Sequence, residues 1–176
     1  MRMKLRTLEQ RDVPFMLEWI KDPEINRFFR FDADAVTPES QRAFVREAQR
    51  EDGKNIHLAC AGDNDEYLGT VSLKEIDTAN GTAEYAVAFR GVAQGTGAAA
   101  FATREVLRIA FGRLGLRRVC LNVLAENTRA ARFYEKMGFV REGEFRAHIL
   151  LRGKRQSLVW YGILKEEYEQ LYGKID

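Results

Sequence analysis

The chain has 176 residues, of which 45% are hydrophobic and 31% charged, a composition that suits one folded domain over residues 1–176. No apolar run approaches the ~20 residues that cross a bilayer, and none follows the basic N-terminus, so we expect a cytoplasmic protein with no membrane partner and no secretory signal. The net charge of +2 is uneven, because residues 1–84 carry 12 Lys/Arg and 17 Asp/Glu whereas residues 90–155 carry 14 and 5.

The first half of the chain predicts a strand, two helices and an antiparallel meander of three strands. Asp12 can cap the first helix and Pro23 ends it, whereas Thr37-Pro38 starts the second. The apolar contacts of these helices come from Phe15, Leu17, Trp19 and Ile20 in the first and Phe44, Val45 and Ala48 in the second. The strands cover residues 4–7, 56–61, 67–76 and 83–89. Asn80-Gly81 is a tight-turn signal between the last two.

The second half alternates helices with strands. The helices are expected over residues 97–112, from Asn127 or Thr128 to Met137, and over 165–172. The strands are expected over residues 118–124, 145–151 and 156–163. Together the elements predict an α/β (α+β) fold with a mixed sheet and helices on both of its faces.

A small-residue loop joins the strand that ends at Arg90 to the helix that follows Gly97. Free N–H groups at a helix start, the helix dipole and small side chains make such a loop suitable for a phosphate. The loop is neither a Walker A motif nor a dinucleotide fingerprint. A tight strand–helix connection without a ligand is the alternative.

Two segments in this half resemble the signatures of the GNAT superfamily of acyl-CoA-dependent N-acetyltransferases. Gln94-x-x-Gly97-x-Ala99 matches the first, and the segment 125–139 looks like the second, with Val140–Gly143 continuing the match. Upstream, residues 68–73 and 83–85 look like strands of the branch that contains Rim-type ribosomal-protein and spermidine N-acetyltransferases. The resemblance implies a single domain with a mostly antiparallel sheet of about seven strands, splayed between strands 4 and 5.

The resemblance also implies acetyl-CoA as the co-substrate, bound where strand 4 splays away. Backbone groups for the pantetheine and the acetyl carbonyl would come from Val87, Ala88 and Phe89. The pyrophosphate would be held by Gln94, Gly95, Thr96, Gly97, Ala98 and Ala99. Asn127 would contact the same molecule, although a plain helix cap would also explain it.

Two further residues are candidates for proton transfer. Tyr134 would be the general acid that protonates the departing thiolate, the alternative being a half-buried aromatic residue with a solvated hydroxyl. Glu84 would be the general base, acting through water, unless it simply faces solvent. Cys60 and Cys120 lie inside apolar strand-like runs and are expected to be small buried hydrophobes, and no covalent intermediate requires them as nucleophiles. The spacing of the two Cys and two His residues predicts no metal site.

The acceptor is a primary amine whose identity the sequence leaves open. Its binding residues are expected to include Glu75, Asp32, Asp34 and Phe31. A polyamine would use the carboxylates, a ribosomal-protein N-terminus would need an open groove, and an amino-sugar nucleotide could use the aromatic cluster at 28–31. A non-catalytic acyl-CoA-binding module is the alternative, whereas a nucleic-acid partner for the basic half lacks any supporting motif. A homodimer or higher homo-oligomer is possible on general grounds.

Overall fold

The computed structural model describes residues 2–50 and 52–175, and within them it has seven strands and six α-helices. The strands are β1 (Lys4–Thr7), β2 (Ile56–Ala61), β3 (Tyr67–Asp77), β4 (Thr82–Phe89), β5 (Arg118–Leu124), β6 (Val140–Leu151) and β7 (Lys154–Leu164). The helices are α1 (Val13–Lys21), α2 (Pro23–Asn26), α3 (Pro38–Ala48), α4 (Ala98–Arg108), α5 (Thr128–Lys136) and α6 (Lys165–Tyr172).

The strands form one sheet in the order β1-β2-β3-β4-β5-β7-β6. The pairs β1–β2, β2–β3, β5–β7 and β6–β7 are antiparallel, whereas β4 and β5 run parallel. The parallel pairing covers only Thr82–Glu84 against Arg118–Cys120, which is less than half of either strand. These features confirm the mixed, mostly antiparallel sheet of about seven strands that the resemblance implies.

Residues up to Lys74 form one compact unit together with residues 86–106. Its core takes apolar side chains from α1, α3 and the first strands, namely Leu8, Val13, Met16, Trp19, Ile20, Val45, Ala59 and Tyr67. Leu17, Phe44 and Ala48 pack against this cluster, as expected. Phe15 does not belong to it, because its side chain turns outward and remains 37% exposed.

The starts of α1 and α3 differ from each other. α3 starts at Thr37-Pro38 as expected, and Thr37 caps it, since its hydroxyl accepts a hydrogen bond from the Ser40 N–H at 3.1 Å. The expectation that Asp12 caps α1 is wrong. Both of its carboxylate oxygens are taken by the Arg6 guanidinium, at 2.7 and 2.8 Å, and the Glu9 N–H also donates to it. Asp12 therefore holds the turn before α1, where it is 1% exposed.

The second compact unit comprises Glu75–Tyr85 and the residues from Leu107 onward. Its core contains Phe111, whose ring lies 5.5 Å from that of Tyr168 in α6. Strand β6 begins at Val140, five residues before the expected start at Phe145. The first residues of β6 show no alternation of apolar and polar side chains, because this strand lies at the exposed edge of the sheet. These residues are nevertheless part of the strand because they pair with β7, where Val140 lies opposite Gly162.

Candidate active site

The glycine loop leaves β4 and enters α4 through two residues with left-handed backbone. Gly95 has φ +75° and Gly97 has φ +84°, conformations that side chains with a Cβ rarely adopt. A Cβ built at either position meets no atom within 4 Å, so the space above both glycines is open. The stretch from Gln94 to Gly97 is exposed, whereas Ala98 is buried at the start of the helix. The loop thus presents backbone rather than side chains to the outside.

Several amides of this loop are available to a ligand. In the described part of the chain, the N–H groups of Gly95, Gly97, Ala99 and Ala100 donate no hydrogen bond to protein atoms. The hydroxyl of Thr96 donates to the Ala93 carbonyl oxygen at 2.7 Å and accepts from the Ala98 N–H at 3.3 Å, which fixes the last turn of the loop. Free amides at the positive end of an eleven-residue helix fit a pyrophosphate.

Arg90 anchors the end of β4 where the loop begins. Its guanidinium donates to the Glu18 carboxylate at 2.8 and 3.1 Å, to Glu66 at 2.8 Å and to the Tyr67 carbonyl oxygen at 3.0 Å. It also lies 4.6 Å from the ring centre of Phe15, which explains the outward position of that ring. The residue is 7% exposed. The sequence did not indicate that Arg90 anchors the loop. The one feature that could have indicated this role is a single arginine directly after an apolar strand.

The segment Val87–Phe89 lies where β4 passes close to β3. A Cβ added to Gly69 would come within 2.5 Å of the Ala88 carbonyl oxygen and of the Phe89 ring, so only glycine allows this approach. Just beyond, the Arg90 N–H donates to the Leu68 carbonyl oxygen at 2.9 Å. The backbone of this segment is therefore fixed from one side by β3.

A cavity of about 330 Å³ adjoins the same segment and lies wholly within the first compact unit. Its walls come from α1, the 29–36 region, α3, β2, β3 and β4. The lining residues are Met16, Trp19, Ile20, Phe29, Phe31, Val36, Gln41, Phe44, His57, Thr70, Ser72, Ala86, Val87 and Ala88. The walls are mainly apolar, and among residues 2–50 and 52–175 no carboxylate or cationic side chain other than the titratable His57 lines them.

Three polar side chains of the cavity wall have hydrogen-bond partners within the protein. The His57 Nδ1 and the Ser72 Oγ are 2.7 Å apart, and the Phe44 ring meets the imidazole edge-on at 4.9 Å. Burial, helped by the charge of Lys74, lowers the pKa of His57, so the imidazole is neutral at neutral pH. Thr70 is paired through its hydroxyl with the Tyr67 hydroxyl at 2.7 Å.

Of the four residues expected to bind the acceptor, the structure brings only Phe31 to the cavity. Asp32 and Asp34 are exposed and do not line it, and the Asp32 carboxylate accepts the Asp34 N–H at 3.0 Å within the loop. Glu75 is exposed in the other compact unit, with left-handed backbone at φ +49°. The structure therefore does not assemble these carboxylates around the cavity.

Tyr134 lies in a cluster of aromatic rings within the second unit. Its ring centre is 6.0 Å from that of Tyr85, 5.9 Å from Phe139 and 6.4 Å from Tyr161. Burial raises the pKa of Tyr134 to about 12. The phenol therefore keeps its proton throughout the neutral range, as a proton donor must.

The other two candidate residues of this unit are Asn127, at the start of α5, and Glu84, in β4. Asn127 caps α5, because its side-chain oxygen accepts the Ala130 N–H at 3.2 Å, which leaves its amide hydrogens for other partners. Glu84 is half-buried in β4 and lies opposite Cys120 of β5.

Cys60 is buried and Cys120 half-buried, and neither forms a disulfide. Burial raises the pKa of the Cys60 thiol to about 11 and also raises that of Cys120, so both thiols are protonated and poorly nucleophilic at neutral pH. Within residues 2–50 and 52–175, no three His, Cys, Asp or Glu side chains are grouped to hold a metal ion. No helix in those ranges is long and apolar enough to cross a membrane.

Comparison with known proteins adds the following similarities. Residues 2–140 match the family described as Acetyltransferase (GNAT) domain. The chain is 31% identical over 134 residues to the SPbeta prophage-derived uncharacterized N-acetyltransferase YokL of Bacillus subtilis (strain 168), covering 76% of this chain and 75% of the relative. It is 25% identical over 166 residues to spermidine N(1)-acetyltransferase of Escherichia coli (strain K12), covering 94% and 88%. Its fold is similar to that of spermidine N-acetyltransferase from Vibrio cholerae in complex with CoA and spermine, with a TM-score of 0.85, 24% identity and coverage of 94% and 97%.

Proposed function

The chain belongs to the GNAT acetyltransferase family, and from that premise we propose that it acetylates a primary amine by direct attack within a ternary complex. It is an acetyl-CoA-dependent N-acetyltransferase, with acetyl-CoA as its co-substrate. The observation that carries the proposal is the loop before α4, where four backbone amides without protein partners and two left-handed glycines face open space.

The proposed donor site uses backbone more than side chains. The amides between Gln94 and Ala99 would hold the pyrophosphate, and the backbone of Val87–Phe89 would pair with the pantetheine and polarise the acetyl carbonyl. The close approach at Gly69 supports this role, because it fixes Ala88 and Phe89 before any ligand binds. Asn127 would contribute its free amide hydrogens while its oxygen caps α5.

The proposed chemistry needs one proton donor and one proton acceptor. The amine nitrogen forms a bond to the acetyl carbonyl carbon, and the carbon–sulfur bond breaks with its electron pair on sulfur. Tyr134 would protonate that thiolate, and its neutral phenol supports the role. Glu84 would accept the proton of the attacking amine through water.

We propose that the acceptor is a small primary amine, without naming the compound. Relatives named as spermidine N-acetyltransferases cover almost the whole chain, which supports a small amine rather than a macromolecule. The competing function, a CoA-binding module without catalysis, is not favoured, because both proton-transfer candidates are present in the chain.

The test is thiol release from acetyl-CoA over a panel of primary amines, with wild type compared against Tyr134→Phe. We expect turnover by the wild type and a fall in kcat of about 10²-fold or more in the variant, because proton transfer contributes about 10²–10⁴-fold. The affinity for CoA, measured by calorimetry, should not change. Tyr172→Phe is the matched control, since that hydroxyl donates to the Met137 carbonyl oxygen. A protein that binds CoA but releases no thiol with any amine would refute the enzymatic proposal.

A further inference from the structure

The chemistry of the cavity beside β4 narrows the acceptor. At about 330 Å³ it has the size of a small-molecule site, near the lower end of the range of ~300–1,000 Å³. Its wall includes Ala86, Val87 and Ala88, and the last two belong to the segment proposed to hold the acyl end of the donor. An amine whose body fills the cavity would therefore have its nitrogen next to that segment.

Among residues 2–50 and 52–175, no carboxylate lines the cavity to pair with a second positive charge. A polyamine keeps its other nitrogens protonated near neutral pH, and burying an ammonium without a carboxylate is costly. His57 is neutral, and its Nδ1 already lies 2.7 Å from the Ser72 Oγ. Asp32 and Asp34 remain outside in solvent.

The aromatic residues do not form a cage for an ammonium either. The ring centres of Trp19 and Phe29 are 5.3 Å apart, those of Phe29 and Phe31 are 5.3 Å apart, and those of Trp19 and Phe31 are 6.3 Å apart. These are direct ring–ring contacts, so no cation fits between the rings. The triad instead presents a continuous apolar wall, of which Phe31 is the exposed end.

We propose that the acceptor is a primary amine carried on an apolar, ring-bearing body, and that this body occupies the cavity; the inference rests on the proposed function. The apolar wall selects the body by burial of its surface. It also favours the reactive form of the substrate, because desolvation lowers the pKa of an amine and only the neutral amine can attack. The same uncharged wall thus selects and activates the acceptor.

The first experiment compares three amines at saturating acetyl-CoA: 2-phenylethylamine, n-butylamine and spermidine. We expect kcat/KM for 2-phenylethylamine to exceed both others by at least about tenfold, because it alone combines a single charge with a ring. A kcat/KM for spermidine equal to or above that of 2-phenylethylamine would overturn the inference while leaving the proposed function intact.

The second experiment uses Phe31→Ala, with Phe28→Ala as the matched control. Phe28 is a near neighbour that lies beneath the Arg27 guanidinium and does not line the cavity. Phe31→Ala should raise KM for 2-phenylethylamine about tenfold with little change in kcat, and should change kcat/KM for n-butylamine less than about twofold. An equal loss for both amines, or the same loss in Phe28→Ala, would contradict a ring-binding role.

Calorimetry separates failure of this inference from failure of the proposed function. If no amine is turned over, the enzymatic proposal fails, and binding of 2-phenylethylamine in the presence of CoA decides the ligand class of the cavity. Binding that Phe31→Ala weakens about tenfold would support the inference. Absence of binding to the folded wild type would overturn it.

Discussion

His57 is the residue whose structural role the sequence did not indicate. Two histidines without ligand-like spacing argued only against a metal site, and nothing in the sequence placed one of them in a cavity wall. The placement comes from pairing of β2 with β3, which sets His57 opposite Ser72. Such a contact depends on register between strands and is invisible to a search for local motifs.

The lowered pKa of His57 makes folding sensitive to mild acid. Above the unfolded-state pKa of about 6.5 the imidazole is neutral in both states, and stability is unaffected. Below it the unfolded chain binds a proton that the folded cavity disfavours, so stability falls with falling pH. We expect the loss of unfolding free energy between about pH 7.5 and 5.5 to be smaller in His57→Gln than in wild type. Urea unfolding at both pH values measures it.

His148 provides the control for this prediction. It is the other histidine of the chain and is exposed on β6. His148→Gln should keep the wild-type difference between the two pH values. If His57→Gln also keeps it, some other group is responsible for the acid sensitivity.

For Tyr134, the sequence motif predicted the residue and its helix but not the side chains that surround it. Its number and its place on α5 followed from the resemblance of segment 125–139. The surrounding rings of Tyr85 and Tyr161 come from strands far away in sequence. Burial in this cluster raises the pKa, so the shift could not be predicted from the sequence although the candidate could.

At the scale of elements, the sequence predicted nearly every helix and strand of the fold. The signals were strong where one element carried its own pattern, as in β5 or in the capping of α3 by Thr37. They failed where an element depends on a partner, as at the start of β6, or where a tertiary ion pair takes a capping side chain, as with Asp12. The structure contains the expected glycine loop, but the residue that anchors this loop was not predicted from the sequence.

Arg90 is that anchor, and its loss should affect both stability and donor binding. Arg90→Met removes charged hydrogen bonds to Glu18 and Glu66 and should lower the unfolding free energy by about 2 kcal/mol. Because the loop begins at this residue, the affinity for CoA should also fall severalfold. Denaturant unfolding and calorimetry measure the two effects.

A surface ion pair gives the matched control for Arg90. Arg50 pairs with Glu47, and both side chains are mostly exposed, at 73% and 67%. Arg50→Met should change the unfolding free energy by less than about 0.5 kcal/mol and leave CoA binding unchanged. Similar effects of the two substitutions would show that Arg90 does not specifically support the loop.

At the scale of the whole chain, the uneven charge predicts how each substrate responds to salt. The excess of Lys and Arg over residues 90–155 should attract the phosphates of CoA, whereas none of the described residues that line the cavity carries a charge at neutral pH. Between about 0.05 and 0.5 M NaCl we expect the Kd of CoA to rise severalfold and KM for 2-phenylethylamine to stay within about twofold. A Kd for CoA that does not change would mean that backbone amides alone hold the donor.

The family and the sheet could be predicted from the sequence, whereas the acceptor site could not. Two signatures in order predicted the family and the proposed donor loop, because a backbone phosphate site has a local and recognisable pattern. The acceptor cavity draws on α1, α3 and three strands, so its residues share no pattern along the chain. The expected role of Asp32, Asp34 and Glu75 in binding the acceptor followed from charge alone. Organisation as one domain stays a prediction.

The position of Trp19 in the cavity wall gives the protein an intrinsic optical reporter. The chain has two tryptophans, and the other, Trp160, lies in β7 with its buried indole N–H lacking a partner in the described chain. Replacing Trp160 by phenylalanine removes that unsatisfied donor and leaves a single indole. The emission of Trp19 then follows the polarity of the cavity, so ligands can be screened by fluorescence before any substrate is known.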